Sequence, residues 1–514
     1  MDKKRGLLNV LVSIFFYLIL LVLNFITRRF LIQNLGIGIS GLNSLYLSLI
    51  GFLSVAELGV GTAISYSMYK PIVERDFTKV AGLYNLFKKL YFIIGAIITI
   101  AGLCTIPFLS ILAKDYTSLD TNINITFLLM LLSTVITYIY SAKISLMNAF
   151  KDNYITTAIN SGSKIICQLL QIISLIIFKS FEVYLICRSI GGIIEWIFIE
   201  FLCRKTRNDV ISLNSKIDYD TKKEVSKNIK ARFMHRIGGV LVNTVDNIVI
   251  SAFIGVVILG KYSNYITVMT ALFNLLGMFF TPLTSVIGHM CKENTYNLIK
   301  KNFNFIYVLS FILGTIFFLG YYSIIDELIC ICFGNNLELS KAVSFVITIN
   351  YFVQYMRKDV ILFRDATGTF YQDRFKPLIE GASNVILSII LVLVLPDEFN
   401  VIGVIIATIL TNLLICHIVE PYVLFKFGFK DSVKKYYVKN YIFIAIFILS
   451  LFILSQFMIT TDNIWIQLLI NGSISIAFSI IVSLIVLIFE KEFREQCLSV
   501  IKIFLKRLFI RKNG

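Results

Sequence analysis

Residues 464–489 read IWIQLLINGSISIAFSIIVSLIVLIF, a run without a single charged side chain. A helix crosses the hydrocarbon core of a bilayer in about 20 residues, so the run is long enough to span. Its polarity does not alternate over stretches of about ten residues, as a membrane β-strand would require. In lipid a backbone must satisfy its own hydrogen bonds, which makes such a run a helix. Similar runs recur along the 514 residues, which are 57% hydrophobic and only 15% charged. A soluble domain carries roughly 25% charged residues. The sequence therefore predicts an all-α integral membrane protein.

Working outward from 464–489, we expect about 14 transmembrane helices, near 7–32, 41–66, 90–113, 123–149, 154–178, 181–203, 233–256, 262–289, 302–325, 342–365, 377–395, 400–425, 438–460 and 464–489. Lys3-Lys4-Arg5 ahead of the first run imitates a signal peptide, but the run is too long and no small-residue cleavage site follows it. With the N-terminus inside, 36 of the 48 lysines and arginines fall in cytoplasmic segments, among them the basic link 204–232 and the tail 491–514. Each missed span would invert the later loops, so the steady alternation supports an even count and two cytoplasmic termini. The formal net charge of +17 is thus a matter of topology and implies no nucleic-acid partner. In the tail, Val500, Ile503, Phe504 and Leu508 would form one apolar face, suited either to the inner headgroup layer or to a plain topology anchor.

The link 204–232 divides the chain into a six-helix lobe at 1–203 and a second at 233–430, with two further helices at 431–490. The lobes look related at an offset of about 219 residues. Asn24 and Arg28 precede Gly36-Ile-Gly-Ile-Ser-Gly41, while Asn243 and Asp246-Asn247 precede Gly255-Val-Val-Ile-Leu-Gly260. Asn160 and Lys164 correspond to Glu380 and Asn384. Six spans per lobe make the repeats parallel, and transporters built this way place substrate between the halves.

Polar side chains at helical spacing within spans mark an interior face, because polarity facing lipid is costly. The stripe Asn153, Thr157, Asn160, Lys164, Gln168 and Gln171 is the most regular. Candidate substrate contacts are Lys164, Arg188, Arg357, Lys358, Arg236, Arg28, Asn160 and Asn243; Glu57 and Asp246 are candidates for ion coupling or gating. The intramembrane charge is mainly cationic, which suits an anionic substrate held through phosphate oxygens. Helix–helix hydrogen bonds and snorkelling are the competing reading for Arg28, Arg29, Arg236 and Lys143, which lie near span ends.

Catalysis has little support. Gly255 to Lys261 matches most of a P-loop, but Tyr262 stands where Ser or Thr should hold magnesium. His235, His289 and His417 are isolated, and the nine cysteines, Cys330 and Cys332 included, lack metal-ligand spacing. We expect neither an enzyme nor a bound cofactor, with coupling to protons or sodium left open.

Four groups of residues resemble a known family. Ala56-Glu57-Leu58-Gly59-Val60-Gly61-Thr62-Ala63 with Tyr69-Lys70-Pro71 is similar to the second span and following loop of bacterial polysaccharide repeat-unit flippases, within the multidrug/oligosaccharidyl-lipid/polysaccharide exporter superfamily. Thr244 to Ser251 with Gly260-Lys261-Tyr262, and Phe363 to Gly368 with Asp373 to Pro377 and Asn384, resemble later spans, and Gly403-Val404 and Glu420-Pro421 the twelfth. The resemblance covers roughly 7–490 and rests on order and spacing. It implies a V-shaped bundle of two lobes in the bacterial cytoplasmic membrane. Such a bundle moves an undecaprenyl-pyrophosphate-linked oligosaccharide between leaflets by alternating access, for capsule, O-antigen or exopolysaccharide synthesis. Helices thirteen and fourteen would supply a groove for the lipid tail. Partners implied are the lipid-linked oligosaccharide, membrane lipids, and the polymerase and glycosyltransferases of the pathway. A lipid II flippase, a drug exporter of the superfamily, and a membrane glycosyltransferase or polymerase are the rivals. The last would need large catalytic loops, and the loops here are short.

Overall fold

The computed structural model describes residues 2–57, 60–219, 221–223, 225, 244–280, 287, 288, 290, 291, 296–369 and 372–499. Every regular element among them is helical. Ten helices among the described residues are long and apolar enough to cross a membrane. Their outward faces carry bare apolar side chains such as Phe92, Ile111, Leu393, Leu469 and Phe489. A soluble protein would bury such a belt, whereas a bilayer solvates it.

The four expected spans outside those ten depart for local reasons. The span expected at 41–66 is broken into helices α2 (Ile37–Leu53) and α3 (Val60–Val73), with a tight 3-10 turn, Ser54–Glu57, between them. The span at 181–203 lies within a helix, Phe181–Ile211, that is kinked at Arg207 and carries Arg188, Glu195 and Glu200. Of the span at 233–256, only residues 244–256 are described, and the apolar helix in them is Thr244–Ile254. The span at 342–365 is split at Arg357 into Lys341–Met356 and Lys358–Thr367.

Contacts group Met1–Asn264 with Cys332–Leu337 in one compact unit, and Tyr265–Ile331 with Glu338–Gly514 in another. In the first unit, α1 (Asp2–Leu35) packs on α6 (Asn153–Ile177), which packs on α7 (Phe181–Ile211). Helix α5 (Ile123–Ala149) packs against α7 and against α4 (Phe77–Thr105). Small residues set the separations, as in membrane interfaces generally. A Cβ on Gly191 of α7 would lie 2.6 Å from the Cβ of Cys167 of α6. The two glycine motifs of the sequence repeat meet in the same way. Gly36 and Gly255 both turn the chain at positive φ (87° and 136°). A Cβ on Gly41 would overlap the Val256 carbonyl, and one on Gly260 the Ile37 carbonyl, so the two backbones touch.

In the second unit, Lys376–Val394 packs against Asn400–Thr411, which also packs against Lys341–Met356. Its interior is aromatic: Phe352 stacks on Phe447 with ring centroids 3.5 Å apart, and Phe303, Phe425, Phe429 and Tyr436 pack edge to face or tilted.

Candidate functional site

The polar stripe of α6 opens on a cavity of about 490 Å³ within the first unit. Lys164, Cys167, Gln168 and Gln171 of α6 form one wall, and Arg188, Gly191, Gly192 and Glu195 of α7 a second. Ser133, Thr134, Thr137 and Tyr140 of α5 and Leu47, Ile50, Gly51 and Ser54 of the broken span close it. Spacing of three and four residues puts the α6 side chains on one face. The close approach at Gly191 then brings α7's charged residues to the same space.

The lining is cationic. Glu195 is its one carboxylate, buried, accepting a hydrogen bond from Asn160 Nδ2 at 2.7 Å. Lys164 is exposed and Arg188 half-buried, and neither forms an ion pair among the described residues. Gln168 Oε1 is buried without a hydrogen-bond partner. Two cations against one engaged carboxylate, with amides and hydroxyls around them, can bind an anion whose oxygens accept several hydrogen bonds.

The other expected contacts lie elsewhere. Arg28 is held within the first unit, donating from Nε to Asn264 Oδ1 at 2.6 Å and from Nη2 to Ser263 Oγ. Asp246 is buried in Thr244–Ile254, and its neighbour Asn247 donates to Ser48 Oγ at 2.9 Å. Glu57 occupies the turn that breaks the second span and accepts from Tyr138 Oη at 2.9 Å. Arg236 and Asn243 lie outside the described residues. Of the eight expected substrate contacts, the cavity brings together Lys164 and Arg188, with Asn160 joined to it through Glu195.

Arg357 and Lys358 belong to the second unit. Arg357 makes a two-pronged contact with Glu420, at 2.7 and 3.1 Å, and reaches Glu380 Oε1 at 3.1 Å and Asn412 Oδ1. Lys376 binds the same two carboxylates at 2.6 and 2.7 Å, so two cations and two carboxylates neutralise one another. Lys358 lies over the Tyr355 ring, 5.8 Å from its centroid. Of the two positions that the sequence repeat aligns with Asn160 and Lys164, Glu380 belongs to this cluster, whereas Asn384 donates to Thr408 Oγ1 at 2.7 Å; the cluster is neutral where the first unit's cavity is positive.

Sequence reasoning missed Ser133, Thr137 and Tyr140 as cavity residues, because α5 reads as an ordinary apolar span. It also missed the pairing of Lys376 with Glu420 across 44 residues, for which only the Glu420-Pro421 motif offered a signal. Among the described residues no group of three or more His, Cys, Asp or Glu side chains could hold a metal ion.

These features define a polytopic helical bundle with a polar, cationic cavity inside it. Among solved structures, the lipid II flippase MurJ in an inward closed conformation is similar over 92% of this chain and 99% of its own, with a TM-score of 0.56 at 16% identity. An inward-facing multidrug transporter of the MATE family, of the MOP superfamily, matches over 79% of this chain and 96% of its own, with a TM-score of 0.56 at 14% identity. A Vibrio cholerae MATE transporter matches over 83% and 98%, with a TM-score of 0.50 at 12% identity. No family model and no curated protein matches the chain. The chain therefore shares the fold of these solved structures.

Proposed function

We propose that the protein is a flippase that carries an undecaprenyl-pyrophosphate-linked oligosaccharide from the inner to the outer leaflet of a bacterial cytoplasmic membrane. The observation that carries this reading is the pairing of Lys164 with Arg188 on a cavity that holds only one carboxylate. A pyrophosphate needs charge-assisted donors, a sugar needs amides and hydroxyls, and the lining supplies both. The fold shared with a lipid II flippase supports the lipid-linked class of substrate. The motifs around Glu57, Asp246 and Phe363–Gly368 favour the oligosaccharide branch.

In this reading the chain has fourteen spans. Two lobes of six, at 1–203 and 233–430, alternate access to the cavity, and the helices of 431–490 accompany the lipid tail. Lys164 and Arg188 grip the pyrophosphate, with Asn160 holding Glu195 in place. Lys358, Arg28, Arg236 and Asn243 are further substrate contacts in this reading, while Arg357 is held by Glu380 and Glu420. Glu57 and Asp246 gate that movement, and the protein works beside the polymerase and glycosyltransferases of its pathway.

The test is transport of a fluorescent lipid-linked oligosaccharide by the purified protein in vesicles, against lipid II and a cationic drug in the same vesicles. Transport of the oligosaccharide alone supports the proposal. Transport of lipid II alone, or of the drug alone, replaces it with the corresponding rival.

A further inference from the structure

A second cavity, of about 700 Å³, lies in the second unit, away from the ion cluster at Arg357. Lys300 and Lys301 reach it from the start of the helix Tyr296–Phe333, and Lys435 and Lys439 from the start of Lys434–Ser455. Glu492 and Glu495 come from the helical segment that follows the last span. Phe303, Phe425 and Tyr436 form its apolar floor.

The four lysines are not equivalent. Lys300 pairs with Asp431, and Lys439 pairs with Glu490 at 2.8 Å while donating to Asn304 at 2.7 Å. Those two are spent on holding the walls. Lys301 and Lys435 are exposed and form neither a hydrogen bond nor an ion pair among the described residues. Beside the cavity, the helix from Lys434 bares Val438 and Ile442, at 63% and 50% exposure, which is the apolar face a lipid chain covers. The downstream tail cannot neutralise the lysines, because Lys502, Lys506, Arg507, Arg511 and Lys512 share their sign.

We propose that this cavity binds the headgroup of a bilayer phospholipid, phosphate on Lys301 and Lys435, with a headgroup hydroxyl or ammonium donating to Glu492 or Glu495. Basic clusters at a membrane surface attract lipid phosphate. The two carboxylates add a requirement that lysines alone would not impose. Phosphatidylglycerol and phosphatidylethanolamine carry a donor beyond the phosphate, whereas phosphatidylcholine has none. This site is independent of the transported substrate, so it stands or falls apart from the flippase reading.

The experiment is native mass spectrometry of the full-length protein in detergent, titrated separately with phosphatidylglycerol, phosphatidylethanolamine and phosphatidylcholine of one chain length. The expected result is retention of the first two over the third. The double substitution Lys301→Gln/Lys435→Gln should weaken both by about ten-fold or more, from two surface lysines near lipid phosphate. Lys88→Gln/Lys89→Gln, which removes equal charge from exposed positions of the first unit, should leave binding unchanged. Glu492→Gln/Glu495→Gln should reduce the preference for phosphatidylethanolamine over phosphatidylcholine. Equal retention of all three lipids overturns the proposal, as does equal loss in the pocket and control pairs. Inorganic phosphate that binds the cavity while no lipid does would replace the lipid with a soluble anion. All six residues exchanged are exposed, and a monodisperse elution profile verifies that each variant is folded.

Discussion

Lys164 and Arg357 are both cations within spans, and the structure places them in opposite circumstances. Lys164 faces an open cavity without an ion-pair partner, so its charge contributes little to folding. Exchanging it as Lys164→Met, or Arg188 as Arg188→Gln, should leave the unfolding midpoint in detergent nearly unchanged. Each exchange should lower vesicle transport about ten-fold or more, because a hydrogen bond to a charged group contributes about 1.5–3 kcal/mol. Arg357→Met should do the reverse to stability. It leaves Glu380 and Glu420 buried with Lys376 as their remaining cation, and breaking a buried pair costs about 3–5 kcal/mol. A thermal unfolding series on Lys164→Met and Arg357→Met checks the contrast, and equal midpoints would refute it. Both residues are legible in the sequence as intramembrane cations. Their difference is not, because it depends on Glu420, which lies 63 residues beyond Arg357.

Among the elements, the glycine motifs carry the sharpest consequence. Spacing alone displays Gly36 to Gly41 and Gly255 to Gly260 as related segments. In the fold they touch, through backbone atoms that a side chain would displace. Gly41→Val should therefore force the segments apart and destabilise the protein by about 1–3 kcal/mol, the usual cost of overpacking. Gly162→Ala, on a helix face with no neighbour within 4 Å of the added carbon, should be neutral or slightly stabilising. Thermal unfolding of the two variants separates a packing role from a general sensitivity to glycine loss. The break at Ser54–Glu57 belongs to the same scale. A carboxylate within an apolar span is visible in the sequence, but the turn that carries it and its bond to Tyr138, 81 residues away, are not.

For the whole molecule, topology is the accessible test. The basic bias of alternate loops predicts that the 204–232 link and the C-terminus face the cytoplasm. In a background free of native cysteines, a membrane-impermeant thiol reagent applied to intact cells should label Asp120→Cys and Asp462→Cys. It should miss Ser215→Cys and Leu505→Cys until the cells are opened. Labelling of Leu505→Cys in intact cells would reverse the assignment for the C-terminal helices.

The all-helical membrane class and most of the spans follow from the sequence by itself. Apolar length and charge bias are local properties, and lipid acts on them one span at a time. The tertiary structure alone decided which charged side chains remain available. Lys164 and Arg357 both read as membrane cations, yet one lines an open cavity and the other is enclosed between two glutamates. A charge inside a membrane is defined by its partners, and here those partners are brought together by the packing of helices distant in the chain.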